Sequence, residues 1–163
     1  MEKRVEAWMK KVEKAKEGAD LSMDEDLSIA IMNLISLEEH FYYTAVKTSD
    51  AKYLDMLDSV RSLRKELLKK IVKNPKGEEW CISKHLLAAS MRLMEVGTKE
   101  LGKGNKKEAS EYFTRAFDLY SLFFAINLGL VEKKELTQEK KEEYGLVKKF
   151  SETVKKIVDC CKE

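Results

Sequence analysis

An all-α fold, formed as a single domain over residues 1–163, is predicted by three features of the sequence. Seven Gly and one Pro, Pro75, leave the chain poor in the residues that punctuate β-structure. It is rich instead in Lys, Glu, Leu, Ala and Met, which favour helices. Each long stretch between breaks also repeats its apolar residues at helical spacing. A chain of 163 residues can bury a sizeable core without disulfides or structural metals. A compact bundle of about six mostly antiparallel helices is therefore expected.

Val5, Trp8, Met9, Val12 and Ala15 carry the first segment, over about 2–16, and Gly18 follows it. Ser22 and Glu25 form a capping-box pattern at the start of the second, which runs to about Lys47. Its apolar residues Leu27, Ile31, Leu34, Ile35, Phe41, Tyr42 and Val46 cover more than one stripe, as a central helix requires. Ser49 and Asp50 open a third segment with the stripe Tyr53, Leu57, Val60, Leu63, Leu67 and Ile71. Acidic residues near its start and Lys69, Lys70 and Lys73 at its end match the helix dipole. The run Asn74-Pro75-Lys76-Gly77 stops it, because Pro disfavours helix in the residue before it and Gly permits the turn. A fourth segment covers about 79–101, a Gly-rich break follows at 102–105, and a fifth covers about 106–128. Gly129 and the charged run 132–135 form a connector. Thr137 then caps a sixth segment carrying Tyr144, Val147, Phe150, Val154, Ile157, Val158 and Cys161. Short breaks between long helices imply antiparallel neighbours.

Charge narrows the classes of partner. The 31 basic and 29 acidic residues are interleaved and leave a net charge of +2, which argues against a dedicated nucleic-acid binder. Of the basic residues 26 are Lys, and Gln occurs once, a bias that suits a warm-living source or a low-GC genome. Cys81, Cys160 and Cys161 make neither a C-x-x-C pair nor an even set, and with no apolar signal segment the expected location is a reducing cytoplasm. The longest apolar-rich stretch, 27–46, contains Asn33, Glu38, Glu39 and His40, which a membrane-spanning helix does not readily carry. It is expected to be a buried helix.

Leu93, Val96 and Gly97 on the fourth segment, followed by Ala109, Phe113 and Ala116 on the fifth, have the spacing of one helical hairpin with small residues at the crossing. On these residues the stretch 90–121 resembles a single tetratricopeptide repeat, a helix-turn-helix unit used in stacked, peptide-binding arrays. The resemblance implies a close crossing at Gly97 and Ala109, with Phe113 in the gap. The pattern departs from the family at Glu100, where an aromatic residue is usual, and at Ser121, where a Pro is usual. No second copy occurs at the expected period. A plain helical hairpin with small residues at its crossing would carry the same pattern.

Candidate chemistry centres on two histidines. Glu78, Cys81 and His85 fall at i, i+3 and i+7 on one helix face, and Cys81 and His85 could chelate one ion. Glu38, Glu39 and His40 add possible ligands from an apolar segment. Zinc would accept the mixed shell, and iron or manganese would prefer its carboxylates and imidazoles. The competing reading makes Cys81 a small buried hydrophobe and His85 a surface residue. Neither histidine has Glu three residues before it, as a ferritin-like dimetal site needs. A Gly-rich phosphate loop, a G-x-S-x-G elbow, an H-E-x-x-H pair and the Arg–His pair of helical RNases are all missing. Cys81 with His85 could serve as nucleophile and base, but nothing supplies an oxyanion hole.

Arg61, Arg64, Lys65, Lys69, Lys73 and Lys76 form a basic strip on the third segment and its exit, diluted by Asp55, Asp58 and Glu66. The fifth segment holds more aromatics than one stripe needs, and Tyr112, Phe117, Tyr120 and Phe124 are its candidate partner-binding residues. The expected function is a small helical interaction module that binds a protein or peptide partner or forms a homodimer. The alternative is a metal-binding helical bundle with a redox or sensing role.

Overall fold

The structure, a computed structural model, describes residues 21–130. The predicted first and sixth segments lie outside the described residues, as do Cys160 and Cys161. Within them the protein is all-helical, with four helices and no strand: α1 (Ser22–Thr48), α2 (Lys52–Ile71), α3 (Glu79–Gly102) and α4 (Lys106–Asn127). These correspond to the second to fifth predicted segments, with ends within two residues of expectation. The helices pair as two hairpins, α1 with α2 and α3 with α4, and the hairpins meet chiefly through α1 and α3.

The breaks have local causes. Ser49 takes a left-handed conformation (φ 53°) and its N–H closes α1 onto the Ala45 carbonyl at 2.9 Å. Asp50 then accepts the Lys52 N–H at 3.0 Å and pairs with the Lys52 ammonium at 2.8 Å, which turns the chain into α2. Hydrogen bonds from Lys52 hold the exposed Asp50 carboxyl below its usual range. Between the hairpins, Asn74 (φ 52°) and Gly77 (φ 58°) both adopt left-handed geometry on either side of Pro75. The expected capping box is displaced: Leu21 occupies the cap position, Ser22 is the first helical residue, and the Leu21 carbonyl accepts the Glu25 N–H at 2.9 Å. Leu21 is buried, so its side-chain packing accompanies the earlier start.

The core lies where the N-terminal half of α1, the C-terminal half of α2, the start of α3 and the end of α4 converge. Ile31 and Met32, Leu68, Ile71 and Val72, Leu87, and Phe123 and Phe124 form one buried cluster, with Trp80 and Tyr120 packed at its edge. Each such side chain contributes about 1.5–3 kcal/mol on full burial. Leu63, expected on the apolar stripe of α2, is exposed, and Arg64, expected on the solvated basic strip, is only 2% exposed. The stripe shifts because Arg64, Leu68 and Ile71 are the α2 positions that turn inward.

Within the second hairpin Phe113 lies directly on Gly97: a Cβ at Gly97 would sit 2.7 and 2.8 Å from two ring carbons. Ala109 and Ala116 are buried, and Ser90 Oγ donates to the Ala116 carbonyl at 2.8 Å. Glu100 receives Asn105 Nδ2 and Lys103 Nζ, both at 2.7 Å, and so ties the end of α3 to the start of α4. The bond from Asn105, then that from Lys103, lowers the Glu100 pKa.

Two outcomes are expected. Gly97→Ala gains helix propensity but overpacks Phe113, so urea denaturation should show a net loss of about 1–2 kcal/mol. Gly102→Ala, with nothing within 4 Å, should instead gain up to about 1 kcal/mol. Separately, Asn105→Ala should raise the Glu100 titration midpoint followed by carboxyl NMR. Because the folded-state pKa of Glu100 is lowered, its small stabilising effect is present above the unfolded pKa and disappears as pH falls through the folded one.

Candidate functional site

The six candidate metal ligands divide between two helices. Glu78 precedes α3, Cys81 and His85 stand one turn apart on it, and all three side chains are exposed. Cys81 is therefore not a buried hydrophobe. On α1, Glu38 accepts both Arg64 Nε at 2.7 Å and Arg64 Nη2 at 3.1 Å. This fork is nearly enclosed, with Arg64 and Glu38 side chains 3% and 14% exposed. Glu39 pairs across the hairpins with Arg92, and His40 is exposed beside Phe41. The α1 carboxylates thus face arginines, and among the described residues no group of three or more His, Cys, Asp or Glu side chains is placed to hold a metal.

Of the four candidate aromatic residues of α4, Phe124 belongs to the core cluster and Tyr120 packs against it. Phe124 is buried and meets both Phe123 and Tyr120 edge-on, at 5.1 and 5.2 Å between ring centroids. The Tyr120 hydroxyl lies 2.7 Å from the buried Ser28 Oγ, which also donates to the Glu25 carbonyl. Tyr112 and Phe117 are half-buried, and Phe117 is in contact with other groups. Tyr120 and Phe124 thus serve packing.

Large apolar side chains are exposed elsewhere. On α1 the face that carries Ile31 and Ile35 into the core continues at helical spacing to Tyr42 and Val46, which are 53% and 66% exposed. Tyr43, its ring tilted against that of Tyr42 with centroids 5.2 Å apart, widens the patch. This surface escaped the sequence because apolar periodicity is the same whether or not a neighbour covers it. The Arg64–Glu38 pair had a weak signal, a carboxylate within the most apolar helix, but nothing in the sequence named its partner. No helix among the described residues is long and apolar enough to cross a membrane.

The buried pair makes a sharp stability test. Arg64→Ala should cost about 3–5 kcal/mol in urea denaturation, because it strands the enclosed Glu38 carboxylate, whereas Arg64→Met combined with Glu38→Leu should recover most of that loss. Compared with protein-family models, curated proteins and solved structures, the chain matches none of them.

Proposed function

We propose that this protein is a helical interaction module that self-associates, with the exposed end of α1 as its contact surface. The observation that carries this reading is the continuation of the α1 core stripe into Tyr42 and Val46, where more than half of each side chain is exposed. A second copy laid along this stripe would bury the apolar surface just as α3 and α4 bury Ile31 nearer the helix start. Symmetric dimers are the commonest soluble assemblies, and a stripe on one straight helix is suited to self-complementary packing. In the same reading the second hairpin acts as one tetratricopeptide-like unit, supported by the Gly97–Phe113 contact, and the segments over 2–16 and beyond Thr137 add two helices to complete a six-helix module.

Sedimentation velocity under reducing conditions tests the reading. The protein should dimerise in the micromolar range, and Tyr42→Glu with Val46→Glu should give a monomer of unchanged helicity and thermal midpoint, since both side chains lie outside the core. A protein that is monomeric at every accessible concentration, or a double variant that dimerises as well as the parent, would overturn it.

A further inference from the structure

At the end of α2 away from the α1–α2 loop, the turn between the hairpins forms an open groove of about 560 Å³. Its apolar part is made by Val72, Pro75 and Trp80, and Lys65, Lys69 and Lys73 border it. Val72 is buried and Trp80 is held by the core cluster, so this part of the groove is anchored on packed structure. The three lysines are exposed and make no salt bridge among the described residues. Asp58 and Glu66, the acidic residues nearest to Lys65 in sequence along α2, leave these ammonium groups unpaired, although carboxylates elsewhere in the two hairpins pair with Lys52, Arg64, Arg92 and Lys103.

We propose that this groove docks an acidic peptide segment in extended form, with an aliphatic side chain against Trp80 and Pro75 and carboxylates on Lys65, Lys69 and Lys73. The charge complementarity is direct, and the spacing supports it. Lys65 and Lys69 stand one turn apart, about 6 Å along the helix, and alternate residues of an extended chain recur every ~6.6 Å. A peptide therefore presents successive carboxylates to successive lysines while its intervening side chains face the other way. A single-stranded nucleic acid fits less well: it is held by several aromatic platforms on which successive bases stack, and the groove has one aromatic ring. The site goes beyond the self-association surface and shares no residue with it, so either can fail alone.

Trp80 provides the readout. With Trp8→Phe as background, Trp80 is the sole indole, and its fluorescence is followed while the full chain is titrated with the capped peptide Glu-Asp-Glu-Leu-Leu-Glu-Asp-Glu. A saturable change is expected that weakens as salt is raised. Lys65→Glu with Lys69→Glu should weaken binding at least about tenfold, and the corresponding Lys→Gln pair, which keeps the helix free of added acidic charge, should weaken it less, with circular dichroism unchanged in both. The Gln and Asn analogue of the peptide should not bind. The proposal is overturned by absence of a saturable change, by equal binding to the charge-reversed protein, by equal binding of the uncharged analogue, or by tighter binding of single-stranded oligothymidylate.

Discussion

Phe123 and Phe124 meet edge-on near the end of α4, and the cluster they form with Ile31, Leu68 and Leu87 draws on every described helix. Because apolar burial is the main favourable term in folding, the relative placement of the two hairpins depends chiefly on this cluster, with the Ser28–Tyr120 and Glu39–Arg92 contacts also crossing between them. Each hairpin otherwise closes on itself, through Ser49 and Asp50 in the first and through Glu100, Asn105 and Gly104 in the second. The cluster sits at the open ends of both hairpins, so their loop ends project away from it.

That arrangement grades the surroundings along a single helix. At its start α1 is buried against the second hairpin through Ser28, Ile31 and Met32. In the middle Glu38 turns to Arg64 within its own hairpin and Glu39 to Arg92 across the gap. Near its end Tyr42 and Val46 reach solvent. The forked Arg64–Glu38 bond is geometrically well suited to enclosure, since the guanidinium supplies parallel donors to both carboxylate oxygens. Its desolvation opposes the Coulomb attraction, so it acts mainly as a constraint on how α1 and α2 are aligned. Arg92 and Glu39 are more exposed and contribute orientation with little net stability.

The same geometry separates two surfaces of different chemistry. The loop end of the first hairpin is apolar and aromatic, and the turn between hairpins combines an apolar floor with unpaired lysines. The two surfaces share no residue. Cys81 and His85 lie exposed on α3, and Glu38 and Glu39 of α1 face arginines.

The sequence by itself determined the helices, because their causes are local: apolar residues every three or four positions, Pro75 and Gly77 between the hairpins, and Gly104 at a left-handed turn. The closeness of Gly97 and Phe113 was implied by the resemblance to a tetratricopeptide unit, and the structure has the Phe113 ring against Gly97. What the sequence left undecided were interactions between residues far apart in the chain. Arg64 reads as one more cation on a basic strip, and Glu38 as a metal-ligand candidate, until packing of α1 on α2 brings them together. Tyr120 and Phe124 of α4 read as part of a surplus until Ser28, Phe123 and the core take them up. Tyr42 has the same helical phase as residues of the core, yet it is exposed. Periodicity records which face of a helix is apolar; tertiary structure alone decided which length of that face another helix covers, because coverage depends on where distant segments meet.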